Sequence, residues 1–489
     1  MSAGKGLSKP ESRVVIPVLY GLSFALIVLG LKLYIIAGFG SSVPFWDQWD
    51  AEADRLYRPF LEGSLRFADL FLAHNEHRIF TTRVLGLSLL ALNNGVWDPM
   101  LEMYVNALIH VGTLLLLLFL MQKGLSGSRT LSFFAFATIL FAVPLGHENT
   151  LAGFQSQFYF LMLFSFLLLW TAHRFESSPA KWIWFVMLAA FLSFCSMASG
   201  ALSIAAAAGL LMVRRLAGVE RKPSSLLLTA VLACAFIAAV AATPALPGHA
   251  TLKAKDLQEF TLAVLIATGG GILYLPLAVF MFRVLIRRSP AQDHSWFVFS
   301  LGLWIFGQIC ALAYGRGNAI IASRYLDLFA VGFLLNFYCL TIQLQEGSSS
   351  SLAWKGIAVW TFLVMTGLGV FAPETVKQIN DKRVVTLRHQ DNVNGYLMTG
   401  NAAFLQKAPY SEIPYPDAAR LQLLLDKPAI AGILTPEVNG HNTNRGMRLY
   451  TGKSRKKLML AGSLMFFSGL GLLLHGNLRN GKAGHEKET

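Results

Sequence analysis

The stretch that decides the fold is PMLEMYVNALIHVGTLLLLLFLM, residues 99–121, followed at once by the polar Gln122-Lys123-Gly124. A helix of about 20 mostly apolar residues crosses the hydrocarbon core of a bilayer, so this run reads as a complete membrane span with a basic stop. The same composition extends along the chain. Of 489 residues, 54% are hydrophobic and only 14% charged, with mean hydropathy +0.52. A water-soluble domain carries about 25% charged residues. With so few, most of this surface must face lipid, and a soluble globular fold is excluded. The net charge of +14 comes from short basic clusters between apolar runs, the pattern of the positive-inside rule, so nucleic acid is not an expected partner. Cys195, Cys234, Cys310 and Cys339 all fall within apolar runs without metal-ligand spacing, and indicate no disulfide framework.

Working outward, further spans are expected at about 14–36, 131–145, 158–172, 182–197, 199–213, 225–243, 261–286, 296–314, 325–344, 355–372 and 458–475. The fold class is therefore an all-α polytopic membrane protein of about 12 transmembrane helices. The polar N-terminal MSAGKGLSKPESR precedes the first run, no small-residue cleavage site follows it, and the run reads as a retained span. With the N-terminus inside, inner loops carry Lys123, Arg129, Arg174, Lys181, Arg214, Arg215, Arg221, Lys222, Arg287, Arg288 and Lys355, while the loop at 146–157 has no Lys or Arg. This bias predicts a bacterial-type inner membrane protein with a cytoplasmic N-terminus and two long polar segments, 37–98 and 373–457, on the outer side. Three regions follow: a multi-span unit at 1–372 that includes the outer loop 37–98, a small, mostly helical cap at 373–457, and a last span with its tail at 458–489. The GSSSS stretch at 347–351 reads as an inner linker. Residues 45–95 are expected to lie along the outer membrane surface, because Val84–Leu92 is too short to cross.

The first outer loop carries the densest chemistry. Asp47, Asp50, Glu52 and Asp54 stand within eight positions, beside Trp46 and Trp49. On an α-helix Asp47, Asp50 and Asp54 share one face. Such carboxylates suit a general base for a hydroxyl, or oxygen ligands for a divalent cation, or merely a solvated loop. Downstream, His74, Glu76, His77 and Arg78 lie in His-Asn-Glu-His-Arg; His-x-x-His is not the His-Glu-x-x-His of zinc proteases, and anion binding or loop contacts suit it better than metal. The second outer loop groups His147, Glu148, Asn149, Gln155 and Gln157, hydrogen-bonding side chains that suit a sugar or simply the turns of an interfacial loop. Arg316 and Arg324, with Tyr325, lie close to the membrane plane, where a guanidinium snorkels or grips a lipid phosphate. Lys32 has the same two readings, with snorkelling favoured.

The order of these pieces, over about residues 10–215, resembles the GT-C superfamily of membrane glycosyltransferases, which includes protein O-mannosyltransferases and the aminoarabinose transferases of lipid A. Asp47 to Glu52 is similar to the family's acidic motif after the first span, although here it reads Asp47-Gln48-Trp49-Asp50 and lacks the common Asp-Glu pair. His74 to Arg78 stands where a His-Pro-Pro-Leu-like entry would, followed by IFTTRVLGLSLLALNN, and HENTLAGFQSQ looks like the second outer motif. The resemblance implies a sugar donor linked to polyprenyl phosphate, lying among the membrane lipids. Asp47, or else Asp50 or Glu52, would take the acceptor proton, and Arg316 or Arg324 would face the leaving phosphate. A transporter or flippase for a lipid-linked sugar, or a non-catalytic assembly partner in the envelope, is the alternative.

Overall fold

The computed structural model describes residues 10–175, 178–346, 351–406, 409–440 and 454–485. The expected N-terminal tail, most of the GSSSS linker and residues 441–453 lie outside them. Among the described residues nine helices are long and apolar enough to cross a membrane, and the bent pair Leu257–Ala267 and Ile272–Arg287, at 56° to one another, makes a tenth. Ser128–Ala142 and Pro179–Phe194 are shorter apolar helices of 15 and 16 residues. The chain is thus a polytopic helical membrane protein. The span read from 99–121 matches the helix Pro99–Met121; Asp98 caps it by accepting the Met100 N–H, and Pro99 takes the first turn, where its missing N–H is no loss.

Successive connections alternate between two ends of the bundle. At one end Ala198 meets His77, Arg78 meets Ala242, and Ala254 meets Tyr314. At the other end Lys123 lies over Trp170, and Arg214 meets His173. The loops expected to be basic and inner gather at this second end, opposite the cap. Reporter fusions after Leu216 and near Pro416 should therefore read opposite compartments, and the charge bias of the loops sets the expectation that the first is cytoplasmic. A common compartment for both would break the alternation.

The span expected at 355–372 does not stop where polarity begins. Ser351–Thr399 is one helix of 49 residues that continues through Pro373 and carries its polar half beyond the bundle. There it joins residues 403–406 and 409–439 and the first loop in a single extramembrane body. Trp49 and Tyr57 pack edge-on against Trp97, at 5.7 and 5.3 Å between ring centres, above Val393, Leu421, Leu424 and Ile430. The Trp97 N–H donates to Ile433 O at 2.7 Å, so polar segments far apart in sequence share one core. Within 45–95 the longest helix, Phe80–Leu92, has 13 residues, and Ala73–His74 pairs with His77–Arg78 in a minimal hairpin.

The helix Ser454–His485 lies along the first helix, Pro10–Phe39, through a seam of small residues. A side chain on Gly30 would meet Gly462 O at 2.5 Å, and one on Gly469 would meet Ser23 O at 2.9 Å. Ser23 Oγ donates to Gly469 O at 2.6 Å. Close backbone approach of this kind is how helices gain van der Waals contact in lipid, where apolar burial supplies no drive.

Candidate functional site

The chain leaves the first helix at Phe39 and turns at Trp46, whose φ of +51° is the left-handed conformation. A bulky side chain adopts it at a cost of about 1–2 kcal/mol, here held by a backbone hydrogen bond from Trp46 to Pro414 O at 2.9 Å. This turn sets Asp47 outside the helix that follows. Its carboxylate, 49% exposed, lies 3.5 Å from His74 Nε2, on a side chain only 8% exposed. His74 is presented by the 73–78 hairpin, whose turn residue Asn75 is also left-handed at +51°, a conformation that asparagine tolerates. The imidazole stands edge-on to Phe154 of the second loop, at 5.5 Å. Two left-handed residues therefore flank one carboxylate–histidine contact, made where three loop segments meet.

The remaining hairpin side chains are engaged elsewhere. Glu76 pairs with His249; burial would raise its pKa, but that hydrogen bond holds it below the usual carboxylate value. His77 accepts from the Ala198 N–H at 3.4 Å, and burial pushes it down to about 4, so it is neutral at pH 7 although Glu76 and Asp47 pull the other way. Arg78 donates to the carbonyls of Phe71 and Ala242 and ties the loop to a helix end.

The expectation that Asp47, Asp50 and Asp54 share a face needs correcting. Gln48–Tyr57 is wound as a π-helix, which shifts side-chain neighbours from those of an α-helix. Asp50 and Asp54 face the cap: Arg420 Nη2 lies 2.9 Å from Asp50 and 2.7 Å from Asp54, and Lys427 lies 2.7 Å from Asp54. Tyr415 also donates to Asp50. Burial would raise Asp54, but hydrogen bonds from Lys427, Arg420 and Arg58 hold it well below the ordinary carboxylate range. These two carboxylates join the loop to the cap. Glu52 points inward and is 3% exposed; Gln48 Nε2 bridges it to Glu102 at 2.8 and 2.9 Å. Burial pushes Glu52 up to about 8 against the hydrogen bonds from Gln48 and Trp97, so it is mostly protonated at pH 7. Among the described residues no group of three or more His, Cys, Asp or Glu stands ready to hold a metal ion.

The second loop is pinned to the start of Ser323–Glu346. His147 Nδ1 meets Ser323 Oγ at 3.0 Å, Glu148 pairs with Arg324 at 3.0 Å, and Asn149 donates to Arg324 O and to Asp327. Gln155 accepts weakly from Gln157, at 3.5 Å. Arg316 Nε donates to the Tyr325 hydroxyl at 2.8 Å. Lys382, delivered by the long helix, lies over the Phe45 ring at 5.4 Å and interacts electrostatically with Glu148 and Arg324. Arg316 and Asp47 both act on His77, which links the cationic group to the acidic one.

Lys382, Gln48 and Glu102 escape a reading of the sequence alone. Lys382 sits in a polar segment assigned to the cap, and Glu102 lies in the first turn of an apolar span. Lys32 does not snorkel. It turns inward to Thr150 Oγ1 at 2.8 Å and lines a small cavity with Asp327 and Gly146. His110, stacked on Tyr159 at 4.2 Å, is buried beside it. No protein-family model and no curated protein matches the chain.

Proposed function

We propose that this chain transfers a sugar from a polyprenyl-phosphate donor to a periplasmic or lipid-linked acceptor, as a GT-C-like enzyme of envelope glycan assembly in a bacterial-type inner membrane. The observation that carries the reading is the Asp47–His74 contact at 3.5 Å, open to solvent on the Asp47 side and held by a strained turn. In this mechanism Asp47 accepts the proton of the acceptor hydroxyl. The acceptor oxygen forms its bond to the anomeric carbon with inversion, the bond from that carbon to the phosphate oxygen breaks, and the lipid phosphate leaves as an anion. His74 orients the carboxylate, and Arg316, Arg324 and Lys382 are the cations available to the phosphate.

The test is transfer of a labelled sugar from polyprenyl phosphate to acceptor lipids by the purified full chain. Arg324→Ala is expected to raise the donor KM and to lower turnover by about 10-fold, because the charge it removes holds the phosphate in the ground state and stabilises more strongly the charge that develops on it in the transition state. An Arg324→Ala enzyme with unchanged donor KM and turnover would take that residue out of donor binding.

A flippase for a lipid-linked sugar is the second reading. It is favoured by Lys32 and Asp327 lining one cavity among the spans, since ionisable groups at such depth commonly mark transport pathways. Asp327→Asn separates the two: sugar transfer assayed in detergent should survive it if the chain is an enzyme, whereas translocation of donor across vesicles should be lost if it is a flippase.

A further inference from the structure

An open groove of about 530 Å³ runs between the first helix, the long Ser351–Thr399 helix and the start of Ser454–His485. Its polar wall consists of Asn380, Arg383, Arg455 and Lys456, with Tyr34 and Phe39 on the apolar side, and among the described residues no Asp or Glu lines it. Arg383 lies over the Phe39 ring at 5.7 Å. Arg455 donates one bond to Gly40 O at 2.9 Å, while its Nε is buried with no hydrogen-bond partner among the described residues. Three cations converge here, and Asp98, which interacts electrostatically with Arg455, does not itself line the groove.

The height of the groove identifies what it meets. From Trp354 to Arg383 the long helix rises about 43 Å at 1.5 Å per residue, which clears the roughly 30 Å hydrocarbon core and reaches the headgroup layer. The first helix ends at Phe39 and the other begins at Ser454, so all three walls reach that layer together. Below the cations, Leu460, Leu464, Phe467, Phe362 and Phe371 are exposed and offer an apolar surface for acyl chains. None of Asp47, His74, Glu148, Arg316, Arg324 and Lys382 lines the groove, although Arg383 follows Lys382 on the long helix.

We infer that this groove binds the headgroup phosphate of an anionic glycerophospholipid as a retained structural lipid, with Arg383, Arg455 and Lys456 gripping the phosphate and the acyl chains lying along the neighbouring helices. This does not rest on the sugar-transfer reading.

The test is native mass spectrometry of the full chain titrated with phosphatidylglycerol, phosphatidylcholine, a polyprenyl phosphate or inorganic phosphate. Wild-type protein should retain phosphatidylglycerol in preference to the other three. The double variant Arg383→Gln, Lys456→Gln, which changes two exposed side chains without touching the core, should bind phosphatidylglycerol about 30-fold more weakly, from about fivefold for each lost charge. Lys253→Gln with Lys255→Gln, the same charge change on another loop, should leave binding unchanged. Equal binding by wild type and the Arg383/Lys456 variant would overturn the proposal. So would phosphatidylcholine bound as tightly as phosphatidylglycerol, tighter retention of polyprenyl phosphate, or displacement of the lipid by inorganic phosphate at equal concentration.

Discussion

Asp47→Asn is expected to lower sugar transfer by about 100-fold or more, the usual contribution of a positioned proton acceptor. The change preserves the shape of the side chain and removes its charge and basicity. Because the carboxylate is half exposed and touches only His74 among the ion pairs described, protein level and melting behaviour should stay near wild type. His74→Gln should cost less, since it removes orientation and not the acceptor itself. Asp50→Asn serves as the contrast. That carboxylate accepts from Tyr415 and Arg420, so its loss should loosen the contact between loop and cap and affect thermal stability before turnover. The measurement is initial-rate transfer from a polyprenyl-phosphate donor at saturating acceptor. Wild-type rates from Asp47→Asn would remove the residue from catalysis, and fully active Asp50→Asn and Glu52→Gln enzymes as well would leave the flippase reading standing in place of the enzyme.

A second large effect should appear in the pH dependence of stability. Glu52 titrates at about 8 in the folded chain against an ordinary 4.5, because burial penalises its charged form. The folded state therefore holds a proton that the unfolded chain releases. This contribution to stability is full below about pH 4.5, declines as pH rises through the window to about 8, and levels off above it. By pH 7 the loss is on the order of 3 kcal/mol, from 1.36 kcal/mol for each pH unit above the unfolded value. Glu52→Gln keeps a neutral side chain of similar shape beside Gln48 and Glu102 and removes this term. Its melting temperature should exceed that of wild type by several degrees at pH 8 and converge with it near pH 4.5. Parallel melting curves across that range would mean that Glu52 ionises without penalty where it stands.

The membrane-spanning part was readable because a run such as Leu114–Leu118 leaves little choice of solvent. The site was readable only in outline. Asp47 and His74 stand out by residue type and are brought together, but the separation of Asp47 from Asp50 and Asp54 depends on π-winding, which no side-chain spacing announces. Pro373 argues for a helix end, yet the helix passes through it, because its continuation gains the cap core around Val393 and Tyr396. Lys32 reads as a snorkelling residue until Thr150 and Asp327, remote in sequence, are seen to meet it. Such long-range partners belong to tertiary packing and leave no local trace.

The glycine seam between the first helix and Ser454–His485 has a consequence for time. Its partners Ser23 and Gly469 lie 446 residues apart. At a synthesis rate of about 5–20 residues per second, the first helix waits roughly 20–90 s in the bilayer before its partner exists. During that interval its small-residue face is a ready surface for any other helix that inserts nearby, including the first helix of a second nascent chain. The seam is therefore a late joint in biogenesis, closing long after its first half is in the bilayer, and is open throughout that wait to capture by the wrong neighbour.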